Sequence, residues 1–404
     1  MIDLGLTRIT RLIQNTPQTW KAIHVAGTNG KGSICTYLSA MLNASGSSCA
    51  KFTSPHLIDR WDCIVIDGHP VSESLFLEVE NEVKQRDQND QIGATEFELL
   101  TATAFEIFNR KRVEYGVVEV GLGGKLDATN AMKQKAVTVI AKIGLDHQAL
   151  LGNTLGEIAL QKAGIIRRGV PCVVDDSNEG SVLKVIKQHA REVGAASLSF
   201  PDTEEIKEKM SDWEPHQIQN LACAYAAFKL AKPGNEKPLS ELLKAVREVN
   251  WPGRLQKLDI GRITGKQKQE VLLDGAHNTQ SAEVLGAYVK KHLRSGGEPV
   301  TWVVAATQGK DMNGILGLLL QPGDRVVAVR FQPVDGMPWV KPADPAELLR
   351  LAGDHGVEAS ALQDAGSDVK QALVLAAEAV GDGLLVIAGS LYLVSSVLRI
   401  LRKS

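Results

Sequence analysis

The sequence predicts an α/β protein: a mostly parallel sheet domain with a phosphate-binding loop, followed by a smaller doubly wound α/β domain. Three observations predict it. A chain of 404 residues exceeds what one hydrophobic core usually supports, so two domains are the default. Val- and Ile-rich runs alternate with helical periodicity, and near-continuous apolar strands are buried on both faces, as in a parallel sheet wrapped by helices. Near the N-terminus a glycine-rich turn, Gly27-Thr28-Asn29-Gly30-Lys31-Gly32-Ser33, separates an apolar run from a helical pattern.

The elements follow in order. Residues 22–26 read as a short buried strand and 33–43 as the helix after the turn. Further strands are expected at 116–120, 136–143 and 171–174, and helices at 96–112 and 154–163. Helical patterns at 215–231 and 239–249 precede a breaker cluster, Asn250-Trp251-Pro252-Gly253-Arg254. The expected division is therefore a phosphate-loop domain over 1–250, a linker over 251–255 and a second domain over 256–404. In that second domain 271–273 reads as a strand, followed by a helix to about 293. Strands at 302–306, 325–329 and 384–388 come next, with helices between them. Residues 84–93 and 260–269 read as polar loops, and no internal repeat is visible.

Composition narrows the function. Apolar content of 44% and charged content of 23% are ordinary for a globular protein, and a net charge of −2 points to no polyanion such as nucleic acid. No apolar run is long enough to cross a membrane, and the first residues lack the basic and apolar regions of a signal peptide. The five scattered cysteines form no C-x-x-C pair, which fits reduced thiols and a cytoplasmic location, with a mitochondrial one left open.

Strand, glycine loop and helix N-terminus together make a phosphate cradle. Backbone N–H groups point inward, the helix dipole adds positive potential, and Lys31 supplies a point charge. The consensus is met imperfectly: its first glycine is missing and Ser33 arrives one residue late, so a βα turn that binds nothing also fits. Glu119 lies inside an apolar strand near its C-terminal end, where a carboxylate is costly unless paired or bound to a cation. Ligands of open parallel sheets lie off those strand ends, so Glu119 is a candidate Mg²⁺ ligand; a capping or salt-bridged carboxylate is the alternative. His147, at the next strand's end, either joins Glu119 at a metal or caps a turn. Lys162 lies on a helix, where most lysines are solvated. Asp274, at a strand end of the second domain, suits a ribose hydroxyl or a helix N-cap. Arg254, beside the Pro252-Gly253 turn, is placed to reach phosphates.

These residues resemble the folylpolyglutamate synthase and dihydrofolate synthase family, relatives of the Mur ligases. The resemblance runs over essentially the whole chain. It is carried by the 27–33 loop, Thr53-Ser54-Pro55-His56-Leu57, residues 119–130, Leu145-Asp146-His147, residues 157–165, Trp251-Pro252-Gly253-Arg254 and Asp274-Gly275-Ala276-His277-Asn278. It implies a Mur-ligase-like fold and an ATP-dependent amide ligase. It implies phosphate contacts from Thr28, Asn29, Gly30, Lys31, Gly32 and Ser33, and further ATP contacts from Asn220, Arg254 and Asp274. Mg²⁺ ligands are implied at Ser54, Glu119 and His147, with a second Mg²⁺ or a monovalent cation as further cofactors, and a carbamate-bearing lysine at Lys162. His277 and Ser390 fall near the incoming glutamate. Pterin-side contacts fall on Asp3, Leu4, Gly5, Leu6, Thr95, Glu96, Phe97 and Glu98.

Some positions depart from the family pattern. Asp62, Cys63 and Ile64 stand where Glu-Arg-Ile is frequent, and Lys125 replaces an arginine whose bidentate contact a lysine cannot make. The segment Asp3-Leu4-Gly5-Leu6 resembles the one that contacts dihydropteroate in members using that substrate, which favours the dihydrofolate synthase branch, and the chain as a whole looks like its monofunctional fungal form. Three activities fit: joining glutamate to dihydropteroate, an ATP-dependent ligase on folate or another acid, or nucleotide binding without ligation. The set Ser54, Glu119, His147, Arg254 and Asp274 argues against the last. The expected partners are small molecules only (ATP, L-glutamate and dihydropteroate or folate) on a monomer.

Overall fold

The computed structural model describes residues 3–234, 237–249, 251–294, 296–380 and 383–403; Asn250 of the breaker cluster lies outside them. The chain divides into two compact units, residues 1–56 with 61–249, and residues 57–60 with 250–404. The short segment Leu57–Arg60, just after Ser54-Pro55-His56, belongs to the second unit. There Arg399 donates to the Ile58 carbonyl and Arg402 pairs with Asp59.

The strands of the first unit are β1 (Lys21–Ala26), β2 (Cys49–Phe52), β3 (Ile64–Ile66), β4 (His69–Pro70), β5 (Tyr115–Glu119), β6 (Lys135–Ile140), β7 (Cys172–Val174) and β8 (Leu198–Ser199). They form one sheet in the order β4-β3-β2-β5-β1-β6-β7-β8. All neighbours are parallel except the antiparallel hairpin edge β2-β3-β4. β1 sits between β5 and β6, strands that follow it much later in the chain, so the C-terminal ends of β1, β5 and β6 lie side by side. Ligands bind at such a crevice in open α/β sheets.

The second unit holds β9 (Gln256–Asp259), β10 (Glu270–Leu273), β11 (Val300–Val304), β12 (Arg325–Ala328), β13 (Leu362–Asp364) and β14 (Leu384–Ala388), ordered β13-β12-β11-β14-β10-β9. Only β9 pairs antiparallel. Alternate residues enter opposite cores. Val300, Trp302 and Val304 join one cluster, while Val303 and Ala305 join the other. That is the double-sided burial expected of continuous apolar strands.

Several local expectations change. The strand expected at 136–143 ends at Ile140, and the one expected at 302–306 runs Val300–Val304. The helix after the glycine turn begins at Lys31, two residues early, because Gly30 itself occupies the N-cap. Residues 84–89 are the end of helix Glu73–Asn89, not a loop. Its apolar positions Phe76, Val79 and Val83 are buried at helical spacing, together with Glu80, while most of its other polar residues are exposed. Within 260–269, Gly261–Thr264 forms a short helix, because its residue Ile263 packs into the second unit's core together with the preceding Ile260.

Candidate active site

The glycine loop continues directly from β1. Gly30 has φ +84°, and a Cβ there would lie 2.3 Å from Asn220 Oδ1. Glycine is thus required both by the left-handed backbone and by the helix Pro215–Ala231 that carries Asn220. Helix Lys31–Ala44 has no capping side chain. The first-turn N–H groups of a helix lack intrahelical partners and, with the dipole, attract anions. The Thr28 and Asn29 N–H groups both donate to the Lys142 carbonyl, at 2.8 and 3.2 Å. The Thr28 and Asn29 N–H groups are therefore engaged within the protein, while Lys31, Gly32 and Ser33 place their N–H groups in the first turn of the helix.

Thr28 has a second task. Its Oγ1 donates to the Gly144 carbonyl and accepts the Gly144 N–H, both at 3.0 Å. This pair ties the phosphate loop to the turn bearing Asp146 and His147. Asn178 secures the same turn from the far side. Its Oδ1 accepts the Ile143 N–H at 2.8 Å, and its Nδ2 donates to the Ala141 carbonyl at 3.2 Å. No spacing in the sequence announced Asn178.

Glu119 closes β5, beside β1, and is only 6% exposed. Lys31 Nζ lies 3.8 Å from its Oε1 and the Ser54 N–H donates to its Oε2 at 3.4 Å. The structure thus gathers Lys31, Ser54 and Glu119 from three separate elements. At 3.8 Å its ion pair with Lys31 is loose. His147 occupies the N-cap position of helix Gln148–Leu151 with φ +52°; its carbonyl accepts the Leu151 N–H, and its side chain makes no capping bond. Its N–H donates to Asp146 Oδ1 at 2.8 Å, and its side chain is 44% exposed. Among the described residues no three His, Cys, Asp or Glu side chains gather into a metal-binding group. The chemistry of a carboxylate and a serine hydroxyl nevertheless suits Mg²⁺, a hard cation that takes oxygen ligands and is seldom caged by protein alone.

Lys162 departs most from its ordinary role. It ends helix Leu155–Ala163, is 5% exposed, and donates from Nζ to the Gly27 carbonyl at 2.9 Å. Burial, reinforced by the Lys31 charge, pulls its ammonium down to about 7. Gly124 explains how the helix comes so close: a Cβ there would lie 2.8 Å from the Lys162 carbonyl. Lys125 itself is exposed; its N–H donates to the Gln161 carbonyl at 2.8 Å, and the base of its side chain lies against Gly164.

The lowered pKa has a testable sign. The unfolded lysine titrates at its ordinary value near 10.4. Between about 7 and that value the unfolded chain holds the extra proton, so stability rises with pH there. Comparing pH-dependent melts of wild type and Lys162→Met should therefore show the difference moving toward wild type above pH 7, and flat below it. A difference independent of pH would show that Lys162 is solvated.

In the second unit, Asp274 follows β10 and is 8% exposed. Its oxygens accept the Leu255 and Ala276 N–H groups, each at 2.8 Å. Burial raises its pKa and Arg254 opposes the rise. It is not an N-cap: Asn278 caps helix Thr279–His292. Instead Asp274 fastens the turn that bears Arg254, so Trp251, Pro252, Gly253 and Arg254 are built into the second unit, with the Gly275 N–H donating to the Gly253 carbonyl at 2.8 Å. His277 holds its Nδ1 2.9 Å from the Gly275 carbonyl. Ser390 is 2% exposed and accepts the Tyr392 N–H at 3.1 Å, at the start of helix Leu391–Lys403.

The remaining expected residues form a separate group in the first unit. Thr95 and Glu98 make a reciprocal capping box at helix Glu96–Arg110. Phe97 stacks near Phe52 with ring centroids 6.3 Å apart, while Glu96 is exposed. Leu4, Gly5 and Leu6 are half-buried, and Asp3 reaches Arg8 at 2.7 Å. Of the departures from the family pattern, Cys63 is buried at the end of the turn Arg60–Cys63, next to β3.

Two cations escaped the sequence reading. Arg8 was hidden in an unremarkable helix. Lys51 interrupts the apolar strand β2, the same signal that exposed Glu119. Its Nζ donates to Thr36 Oγ1 at 3.1 Å, and burial lowers its pKa.

Residues 256–400 match the family described as "Dihydrofolate synthetase, C-terminal domain". The whole chain is similar to a probable dihydrofolate synthetase of Schizosaccharomyces pombe, 36% identical over 99% of both proteins. Among solved structures it is similar to E. coli FolC in complex with DHPP and ADP (TM-score 0.81, 26% identity, covering 100% of this chain and 95% of that one). It is likewise similar to the Yersinia pestis bifunctional folylpolyglutamate synthase/dihydrofolate synthase complexed with AMPPNP and Mn ion (TM-score 0.81, 25% identity, 99% and 94% covered). With a glycine loop at a helix N-terminus, a buried strand-end carboxylate and full-length identity at this level, the chain belongs to the folylpolyglutamate synthase and dihydrofolate synthase family.

Proposed function

We propose that this protein joins L-glutamate to the carboxylate of 7,8-dihydropteroate at the expense of ATP, giving dihydrofolate, ADP and phosphate. The observation that carries it is the grouping of Lys31, Ser54 and Glu119 at the helix Lys31–Ala44 terminus, in a chain co-extensive with a fungal probable dihydrofolate synthetase. A carboxylate does not acylate an amine, because oxide is too basic to leave. Transfer of the ATP γ-phosphoryl to the acid makes an acyl phosphate. The glutamate amine attacks its carbonyl, phosphate leaves, and the amine loses a proton. Lys31 and the first-turn N–H groups orient the phosphates and neutralise developing charge. Ser54, Glu119 and His147 would hold Mg²⁺, which supplies charge neutralisation at the phosphate oxygens when bound.

Asn220, Arg254 and Asp274 are assigned to ATP, His277 and Ser390 to glutamate, and residues 3–6 and 95–98 to the acid. Arg254→Ala is expected to raise the KM for ATP while leaving that for dihydropteroate nearly unchanged. Lys162 is proposed to carry a carbamate, formed when its neutral amine adds CO₂ and releases a proton. An ammonium lowered to about 7 supports this, since only the neutral amine reacts. The resulting anion would hold a second Mg²⁺ or a monovalent cation. A monomer in the cytoplasm completes the proposal; the five buried free cysteines are consistent with a reducing compartment.

The test is ADP release with dihydropteroate and glutamate supplied separately and together. Release that needs both supports the proposal. Release with reduced folates but not dihydropteroate would assign the protein to folylpolyglutamate synthesis, an activity named in the Yersinia relative. ATP binding without release under any pairing would leave a nucleotide-binding protein without ligation.

A further inference from the structure

Helix Thr7–Leu12 has six residues and no capping side chain at Leu6. So short a helix has little stability by itself, and its place must be set by tertiary contacts. Ile9 and Leu12 are fully buried and anchor the helix. Arg8 anchors what precedes it. Its Nε donates to Glu98 Oε2 at 2.8 Å, its Nη1 to Asp3 Oδ2 at 2.7 Å and its Nη2 to the Asp3 carbonyl at 3.1 Å.

One guanidinium therefore fastens residues 3–6 to the first turn of helix Glu96–Arg110. Its planar fork makes the geometry possible, because three donors on fixed vectors reach two separate chain segments. The Glu98 end is the stronger. That carboxylate is 3% exposed, and its Oε1 is buried with no hydrogen-bond partner. Arg8 supplies its compensating charge, while Thr95 adds a backbone N–H at 2.8 Å. The Asp3 end is exposed, and such pairs alone contribute little.

We propose that Arg8 is a positioning residue for the acid substrate. It holds Asp3-Leu4-Gly5-Leu6 against the turn Thr95-Glu96-Phe97-Glu98 so that both segments present one surface. The proposal rests on the assignment of these segments to the acid.

The experiment measures kcat and the KM values for dihydropteroate and ATP in R8Q, R8K, D3N, the R8Q/D3N pair and a deletion of the residues before Thr7. R8Q is expected to raise the dihydropteroate KM about 5- to 10-fold, with kcat and the ATP KM within about twofold. R8K should recover part of the loss, because an ammonium can pair with Glu98 but cannot span both segments. D3N should have a smaller effect and add almost nothing in the R8Q background, since both cut one link. Should R8Q fail to fold, R8K carries the same comparison. If the deletion raises the dihydropteroate KM and folded R8Q does not, the role of Arg8 is overturned while the substrate assignment stands. If the deletion leaves that KM unchanged, the assignment itself falls. Equal rises in both KM values, or a loss confined to kcat, would reduce Arg8 to general support of the fold and overturn the proposal.

Discussion

Lys31→Ala is expected to lower kcat by a factor on the order of 10²–10³ in a protein that stays folded, the cost of one lost phosphate contact in the transition state. The fold should survive because the side chain is 17% exposed and engages only loosely. It donates to the Thr28 carbonyl at 3.1 Å and stands 3.8 Å from Glu119. The contact matters far more when the phosphoryl group moves than in the resting protein. Steady-state kinetics beside a thermal melt decides it. Near-normal kcat in a folded variant would remove the phosphate-loop assignment.

Glu119→Gln is expected to shift the Mg²⁺ concentration for half-maximal activity upward by about tenfold or more, with little change in melting temperature. The amide keeps the volume and still accepts the Ser54 N–H, now 3.4 Å away. What disappears is the negative charge, the property a hard divalent cation requires. Loss of the loose Lys31 pair costs little by comparison, since one partner remains partly solvated. A Mg²⁺ titration of activity is the measurement. Curves that superimpose on wild type would make Glu119 a structural carboxylate.

Both experiments concern residues that sequence alone exposed, because each breaks a local rule. Lys31 sits in a glycine-rich turn between an apolar strand and a helix start. Glu119 is a charge within an apolar strand. Lys162 breaks no such rule. A lysine at the end of a helix looks solvated until the helix is placed, and only the close approach at Gly124 buries it beside the Gly27 carbonyl. Asn178 and Arg8 were invisible for a related reason: the partners that give them their roles, Ile143 and Glu98, lie 35 and 90 positions away along the chain.

The sequence by itself determined the two-part α/β architecture, since apolar runs and helical periods are local and each strand declares its own double-sided burial. It also singled out the glycine loop and the strand-end polar residues, whose character follows from position within one element. Tertiary structure alone decided the strand order and the antiparallel edges β3, β4 and β9. It alone decided which N–H groups of the loop are engaged within the protein, the pKa of Lys162 and the joining of residues 3–6 to Glu98. Each of these depends on groups brought together from distant parts of the chain, where burial and charge are set by neighbours that no local pattern names.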